Sequence, residues 1–355
     1  MEKSGRFCLE SSTNEILDAV GASPYLGFYF ETMFLDLLND ELKAMPLAQV
    51  KDLVKMPWGD PFLAENLVDA GNTVYEIMEN QAVLFFPLWE KESDSYVPES
   101  YDGDKGKVCL YINRDMLESD HRKPVIVCPG GGYNVCASMV EGFPVAEELF
   151  RRGYKPFILN YRVNPYAAYP NPQMDLMLAV KFLRLNADRF GIDPQDLLVV
   201  GFSAAGHLTG SEAGKAQELE EMLLRELSVK EPDLAKRYAG VSAIPDKICL
   251  SYPVITFTGP THQDTAENNT GGDPKKRAEL SIENMVKDSY PPTFLWVCED
   301  DQTVPYTNTI AMKEALEKAG VRHQCFVYPQ GDHGIAAGIG TSAEGWIDEM
   351  CSFFK

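Results

Sequence analysis

A serine stands where a buried strand is expected to turn sharply into a helix. Residues 197–200 read Leu-Leu-Val-Val, and the segment G-F-S-A-A-G-H-L follows at 201–208. A turn of this kind tolerates only small neighbours, exposes the serine hydroxyl and aims the next backbone N–H at a developing oxyanion. The pattern predicts that Ser203 is a nucleophile and that the N–H of Ala204 is an oxyanion donor. We call residues 201–206 the elbow.

A glycine-rich loop follows an earlier strand-like segment. The sequence P-V-I-V-C at 124–128 runs directly into P-G-G-G-Y at 129–133. Three consecutive glycines leave the backbone without side chains, so that several N–H groups can converge on one substrate oxygen. A flexible turn is the alternative, since turns favour the same residues. Because the loop occurs together with the elbow, we interpret it as an oxyanion-binding loop and call residues 129–135 the glycine loop.

A serine nucleophile needs a base, and the chain has five histidines. His333 lies in a glycine-flanked loop after the strand-like segment 324–328. His207 follows the elbow and is expected to point away from the serine, whereas His323 opens a strand. His121 and His262 lie in polar loops. His333 is therefore the predicted base.

The base needs a carboxylate that orients it. The strand-like segment 292–298 ends in Glu299-Asp300-Asp301, and the residue chemistry alone leaves the choice among these acids open. The two acids that do not orient the histidine are expected to face solvent. The chain order serine, acid, histidine is that of α/β-hydrolases and differs from the chymotrypsin and subtilisin orders.

From about residue 124 to the C-terminus the chain resembles the α/β-hydrolase esterases of the acetyl-xylan-esterase-like or hormone-sensitive-lipase-like group. The resemblance rests on these ordered motifs: the P-G-G-G-Y loop, Ser138 with Glu141-Gly142, Tyr161-Arg162, Pro170 with Asp175, G-I-D-P at 191–194, the elbow, Y-P-V-I at 252–255, D-x-x-V-P and G-x-H-G. The motif D-x-x-V-P selects Asp301, and G-x-H-G selects His333. Ala205 departs from the family, which usually has a glycine there for close packing of helix on strand.

The resemblance implies a serine carboxylesterase or acetylesterase that hydrolyses short-chain esters, including acetylated carbohydrates, through an acyl-enzyme. Ser203, Asp301 and His333 would form the triad, and the N–H groups of Gly131, Gly132 and Ala204 would bind the oxyanion. The residues expected to line the mouth are Tyr133, Asn134, Tyr166 and Tyr169, although packing of aromatic rings within surface loops is an equal alternative. No cofactor and no metal is expected. A peptidase or amidase on the same fold and a noncatalytic binding protein are the alternatives.

Composition restricts the partners. The chain has 32 basic and 53 acidic residues, a net charge of −21, which disfavours nucleic acid and anionic membranes and favours a neutral substrate such as a small ester or an acetylated oligosaccharide. No apolar stretch approaches the length of a membrane span, and the N-terminus has acids where a signal peptide has an apolar core. The eight cysteines lack metal-ligand spacing and predict a reduced cytoplasmic protein.

The order of apolar runs predicts the architecture. Strands are expected near 82–89, 107–113, 124–128, 155–160, 197–202, 247–253, 293–298 and 324–328. Helical segments between them indicate a mainly parallel sheet with helices on both faces. Apolar residues at helical spacing predict helices over 31–42, 47–54 and 172–190.

Two further segments carry predictions of their own. We expect residues 1–80 to form a helical N-terminal extension and 81–355 the α/β-hydrolase catalytic domain. The extension could serve as a cap, a docking surface or an element for assembly into a homo-oligomer. The polar segment 257–290 is expected near the carboxyl edge of the sheet, where lids are built.

Overall fold

The computed structural model describes residues 5–89 and 108–355, apart from residues 22, 24, 31 and 58. It divides into two compact units, Met1–Leu84 and Phe85–Lys355. The start of the predicted second strand, residue 107, and the start of the helix predicted over 31–42 lie outside the described residues.

The first unit is helical. Its α-helices are α1 (Thr13–Val20), α2 (Leu26–Tyr29), α3 (Asp40–Ala44), α4 (Leu47–Leu53) and α5 (Ala64–Asn80), and a 3₁₀ helix covers Thr32–Leu37. Helix α1 begins with a capping box in which Ser12 and Glu15 satisfy each other's backbone N–H groups. Ile16, Val50 and Val74 are fully buried, so the amphipathic helices have an apolar core.

The second unit is built on a sheet whose strands are β1 (Val83–Pro87), β2 (Cys109–Asn113), β3 (Lys123–Cys128), β4 (Tyr154–Asn160), β5 (Leu198–Phe202), β6 (Lys247–Ser251), β7 (Thr293–Cys298) and β8 (His323–Tyr328). Their order is β1-β2-β4-β3-β5-β6-β7-β8, and the unit boundary falls within β1. Strand β2 runs antiparallel to β4, and the pairs from β4 through β8 are parallel. The predicted strands are present, and the mainly parallel sheet is confirmed.

Helices connect the strands. They are α6 (Arg114–Leu117), α7 (Phe143–Arg151), α8 (Asn171–Leu185), α9 (Ala187–Phe190), α10 (Ala204–Gly214), α11 (Ala216–Lys230), α12 (Pro232–Tyr238), α13 (Gln263–Thr270), α14 (Pro274–Leu280), α15 (Thr307–Ala319) and α16 (Trp346–Phe353), with a π-helix at Ser138–Gly142 and a 3₁₀ helix at Ile282–Asn284. The helix predicted over 172–190 is divided between α8 and α9. Among the described residues, no helix combines the length and the apolar character needed to cross a bilayer.

The parallel register brings the sequence motifs to one edge of the sheet. The glycine loop follows β3, Ser203 follows β5, Asp301 follows β7 and His333 follows β8. The carboxyl ends of parallel strands meet at the same edge, which is where α/β sheets bind their ligands. The strands β3 and β5 are neighbours, with Cys128 opposite Gly201, so the glycine loop and the elbow leave the sheet side by side.

Candidate active site

The elbow holds Ser203 in a strained conformation. Its φ of 52° and ψ of −119° lie in a region that L-residues rarely adopt. A Cβ at Gly201 would lie 2.2 Å from the carbonyl oxygen of Ala205, and one at Gly206 would lie 2.5 Å from Pro253 Cβ. The two elbow positions that have no room for a side chain are therefore both glycines. Ala205 itself is fully buried, so the fold accommodates the methyl group by which this chain departs from the related esterases.

The structure brings Ser203, His333 and Asp301 into one hydrogen-bonded row. His333 Nε2 lies 2.8 Å from Ser203 Oγ, and His333 Nδ1 lies 2.7 Å from Asp301 Oδ2. The other Asp301 oxygen accepts the N–H groups of Thr303 at 2.9 Å and Val304 at 2.8 Å, which fixes the carboxylate. An acceptor on the Nδ1 side favours the tautomer with its proton on Nδ1, leaving Nε2 free to take the serine proton.

The predicted oxyanion donors lie beside this row with free N–H groups. Gly131, Gly132 and Ala204 have no backbone N–H acceptor within the described part of the chain. Positive φ angles of 120° at Gly131 and 65° at Gly132 turn the glycine loop, and its neighbour Gly130 is packed so closely that a Cβ there would lie 2.9 Å from Ser203 Cβ. Unpaired donors next to a nucleophile can accept a developing negative charge.

Of the three aromatic residues predicted at the mouth, Tyr133 and Tyr169 pack within the protein and Tyr166 is exposed. The Tyr133 ring does not line the mouth, because it is fully buried and its hydroxyl lies 3.0 Å from His207 Nδ1. Tyr169 is half-buried against the Val254 and Phe257 cluster, and its hydroxyl donates to Glu218 at 3.0 Å. Tyr166 is 38% exposed. The ring direction at 133 depends on a φ of 60°, which the sequence does not reveal.

An amide cluster, which the sequence did not indicate, lies on the glycine loop. Asn164 Nδ2 donates to Asn134 Oδ1 and to Asn268 Oδ1, each at 2.7 Å, and Asn268 Nδ2 donates to the Gly132 carbonyl at 2.8 Å. His262 belongs to the same surface, since a Cβ at Gly132 would lie 3.4 Å from His262 Cε1. The predicted polar segment 257–290 therefore reaches the glycine loop through His262 and Asn268. The surroundings of the loop are polar.

The second acid of the Glu299-Asp300-Asp301 run is not simply solvated. Asp300 Oδ1 accepts the backbone N–H of Gly331 at 3.0 Å and of Asp332 at 2.9 Å. In return, Asp332 Oδ1 accepts the N–H of Gln302 at 3.0 Å. These N–H bonds hold the pKa of the Asp300 carboxyl below its ordinary value. Asp300 is exposed, as expected, and in addition it connects the Glu299-Asp300-Asp301 run to the histidine loop, residues 329–336.

A buried ion pair lies at the end of β4. Arg162 Nη2 and Asp175 Oδ1 are 2.7 Å apart, with the two side chains 3% and 0% exposed. Trp89 Nε1 donates to the same carboxylate at 2.8 Å, and Arg162 also donates to the Asn171 carbonyl at 2.8 Å. A pair with this many partners fixes the loop that leads to α8.

Glu141 and Tyr252 were recognised in the sequence only as parts of motifs. Glu141 Oε2 accepts the Gly130 N–H at 2.6 Å, and Glu141 Oε1 accepts the Tyr252 hydroxyl at 2.8 Å. Both residues are buried. The available signal was a glutamate shortly after the glycine loop, but nothing in the sequence indicated its partners. Within the described ranges, no group of His, Cys, Asp and Glu is arranged to hold a metal ion.

Comparison with known proteins places these motifs in a family. The profile of the BD-FAE family matches residues 110–316, more than half of the chain. The chain is 32% identical to the endo-1,4-beta-xylanase B of Butyrivibrio fibrisolvens, in a match covering 73% of this chain and 39% of that protein. It is 28% identical to the acetylxylan esterase of Xylanibacter ruminicola, over 68% of this chain and 45% of that protein. The chain thus spans less than half the length of either curated relative.

Solved structures give the same result. The acetyl ester-xyloside bifunctional hydrolase from Caldicellulosiruptor lactoaceticus is 32% identical, with a TM-score of 0.59 over 75% of this chain and 96% of that one. A carboxylesterase from Lactobacillus plantarum shares the fold at 23% identity, with a TM-score of 0.54 over 69% of this chain and 91% of that one. The fold is that of the α/β-hydrolases, and the chain belongs to the BD-FAE family.

Proposed function

We propose that this protein is a serine esterase that hydrolyses short-chain, mainly acetyl, esters of carbohydrates. The observation that carries the proposal is the hydrogen-bonded row from Ser203 Oγ through His333 to Asp301, at 2.8 and 2.7 Å. The free N–H groups of the glycine loop and of Ala204 support it, because acyl transfer needs donors beside the nucleophile.

The proposed mechanism has two steps. His333 Nε2 takes the Ser203 proton while Oγ attacks the ester carbonyl carbon, and the N–H groups of Gly131, Gly132 and Ala204 hold the resulting oxyanion. The intermediate collapses as His333 returns its proton to the departing alcohol. Water, deprotonated by His333, then attacks the acyl-serine, and His333 returns this proton to Ser203 Oγ as the acyl–oxygen bond breaks and the carboxylic acid is released.

The substrate class rests on the relatives and on the polarity of the site. Two proteins that this chain resembles are named for acetylxylan and acetyl ester-xyloside hydrolysis. The amide cluster of Asn134, Asn164 and Asn268 next to the glycine loop offers hydrogen-bonding groups to a substrate rich in hydroxyls. Of the three tyrosines predicted at the mouth, Tyr166 is the exposed one and is available for stacking on a sugar ring.

Replacing Ser203 by alanine tests the catalytic assignment. We expect Ser203→Ala to lower kcat for p-nitrophenyl acetate by about 10⁴-fold or more, since the hydroxyl is the only covalent nucleophile in the scheme. The variant should also lose labelling by a fluorophosphonate probe. Ser228→Ala, which removes a hydroxyl on the exposed face of α11, is the matched control and should keep full activity. Retention of more than a few per cent of turnover in pure Ser203→Ala would refute the assignment.

The length of the acyl group tests the substrate class. We expect kcat/KM to fall from acetate through butyrate to octanoate in a p-nitrophenyl ester series. Each methylene held in an apolar pocket is worth about 0.8 kcal/mol, and the surroundings of the glycine loop are polar instead. A steady rise toward octanoate would favour a lipase-like enzyme. Acetylated xylo-oligosaccharides, assayed beside the small esters, test the carbohydrate part of the proposal.

We also propose that the protein works in the cytoplasm, with no role in binding nucleic acid or membranes. All eight cysteines are free, and Cys109, Cys128 and Cys249 are buried in strands, as expected in a reducing compartment. The net charge of −21 opposes binding to polyanions. Assembly into a homo-oligomer through the helices of residues 1–80 belongs to the same proposal and is tested by light scattering.

A further inference from the structure

A buried chain of hydrogen bonds joins the glycine loop to the histidine loop. Gly130 N donates to Glu141 Oε2 at 2.6 Å, and the Tyr252 hydroxyl donates to Glu141 Oε1 at 2.8 Å. Ala336 N, in the histidine loop, lies 3.0 Å from the same Tyr252 oxygen. Glu141 and Tyr252 therefore connect the two loops that carry the proposed oxyanion donors and the proposed base.

The direction of each hydrogen bond follows from the donors. The backbone N–H of Ala336 can only donate, so the Tyr252 oxygen accepts it and sends its own proton to Glu141. Gly130 N–H likewise donates to the other carboxyl oxygen. Glu141 thus accepts at both oxygens, which is the arrangement that an ionised carboxylate requires.

The two side chains that link these loops are buried and closely packed. Glu141 is 4% exposed and Tyr252 is fully buried. A Cβ at Gly130 would lie 2.9 Å from both Glu141 Oε2 and Ser203 Cβ, so the glycine loop is held between the carboxylate and the nucleophile. Tyr252 has a φ of 35°, and its ring meets the His333 ring edge to face at 4.8 Å. Contacts this tight transmit a displacement from one loop to the other.

Glu141 also supplies a second negative charge near the proposed base. The groups facing His333 are the Asp301 carboxylate, the Ser203 hydroxyl and the Tyr252 ring, and the hydroxyl of that ring donates to the Glu141 carboxyl. Asp300 and Asp332 lie in the adjoining loops and accept backbone N–H groups there. The pKa of Glu141 lies above its ordinary value, because burial raises it by more than the Tyr252 and Gly130 hydrogen bonds and the charge of His333 lower it. A protonated His333 and an ionised Glu141 therefore stabilise each other.

We propose that Glu141 is a positioning residue that sets the glycine loop against the histidine loop through Tyr252, and that its carboxylate stabilises the protonated His333 formed during the reaction. The inference rests on the proposed serine esterase function. It assigns to Glu141 two effects, one on the geometry of the oxyanion donors and one on the proton held by His333.

Glu141→Gln tests both effects, because it keeps the shape of the side chain and removes its charge. With p-nitrophenyl acetate between about pH 5 and 9, we expect kcat to fall by about tenfold to a hundredfold, the usual loss from displaced catalytic groups. We also expect the low-pH limb of the kcat/KM profile to move to lower pH, since the protonated base loses a stabilising charge. Glu212→Gln is the matched control. Glu212 is a fully buried acid of α10 whose carboxyl oxygens have no partner among the described residues.

Tyr252→Phe separates the two effects. This variant removes the hydroxyl that links Glu141 to Ala336 and keeps the carboxylate, so kcat should fall while the low-pH limb keeps its position. The double variant should be little worse in kcat than Glu141→Gln alone, because both changes interrupt one chain of hydrogen bonds. If Glu141→Gln does not fold, loss of kcat in a folded Tyr252→Phe supports the link, and unchanged kcat refutes it.

Three results would overturn the inference. They are an unchanged kcat in folded Glu141→Gln, a lowered kcat with an unmoved low-pH limb in that same variant, and losses in the two single variants that simply add in the double variant. Failure of the proposed function is distinguishable, since it would appear as activity in Ser203→Ala. An inactive Ser203→Ala together with a normal Glu141→Gln would overturn this inference alone.

Discussion

His207 follows the nucleophile closely in sequence yet belongs to the supporting structure. Its Nε2 lies 2.8 Å from the Leu280 carbonyl, which can only accept, so the proton lies on Nε2 and Nδ1 accepts the Tyr133 hydroxyl. The ring also stacks on Phe257 at 4.1 Å. One neutral imidazole thus connects α10, the glycine loop and the C-terminal end of α14. Burial lowers the pKa of His207 to about 4.

This lowered pKa predicts a stability that depends on pH. The unfolded imidazole takes up a proton near its ordinary pKa of 6.5, whereas the folded one does so only near 4. The unfolded state therefore binds more protons between these values, and the free energy of unfolding falls as the pH drops below 6.5. Between pH 7.5 and 5, wild type should lose about 2 kcal/mol more than His207→Gln, which has no titrating group.

Urea unfolding at the two pH values measures this difference. The comparison between the variants removes the contribution of the carboxylates that titrate in both proteins. His121→Gln, a change in a part-buried histidine on another surface, serves as the control. An equal loss of stability in wild type and His207→Gln would contradict the assignment of a neutral, buried His207.

At the scale of the elements, the apolar runs identified the strands, because a strand buried on both faces needs a nearly continuous apolar sequence. Helix limits were less accurate. The helix predicted over 31–42 is a 3₁₀ helix followed by α3, since the Asn39 side chain accepts the Leu42 N–H and starts a new helix. The spacing of apolar residues does not reveal such a cap.

The site was predictable to the extent that its chemistry is local. The proposed Ser203, Asp301 and His333 each follow a strand within a recognisable motif. The amide cluster was not predictable, because Asn134, Asn164 and Asn268 come from three separate segments of the chain. Contacts of this kind depend on loop conformations that neither composition nor periodicity reports.

The link between the loops after β7 and β8 gives a prediction at this scale. Asp300→Ala removes the acceptor for the N–H groups of Gly331 and Asp332 and frees the histidine loop. We expect kcat for p-nitrophenyl acetate to fall by about tenfold to a hundredfold, because small displacements of catalytic groups have effects of this size. Asp300→Asn keeps a carbonyl acceptor and should retain most of the activity.

Glu299→Ala is the control for the Asp300 variants. Glu299 is the exposed neighbour in the same acidic run, and its side chain makes no hydrogen bond within the part of the chain that the structure describes. Glu299→Ala changes the local charge by the same amount as Asp300→Ala and leaves the hydrogen bonds between the two loops intact. Equal losses in Glu299→Ala and Asp300→Ala would mean that charge, and not the bonds to the histidine loop, determines the effect.

At the scale of the whole molecule, the proposed chemistry is confined to one of the two units. Ser203, Asp301, His333 and Glu141 belong to the unit Phe85–Lys355, together with the glycine loop. The unit Met1–Leu84 has buried apolar residues of its own, including Leu47 and Leu67. A unit with its own core can fold as a separate domain. We therefore propose that residues 1–80 are an extension that the chemical step does not require.

Deleting residues 1–81 tests this division, because the cut removes α1 to α5 and keeps β1. We expect the remaining protein to fold and to keep fluorophosphonate labelling and a kcat/KM for p-nitrophenyl acetate within a few-fold of the full chain. If the helices serve as a cap or as an oligomer contact, turnover of acetylated oligosaccharides or the mass in light scattering should change. Ser203→Ala in the truncated chain is the control for labelling. If the truncated protein is folded by circular dichroism yet unlabelled, the helices take part in forming the nucleophile's site. If its oligomeric mass and its kinetics on every substrate equal those of the full chain, the extension has neither proposed role.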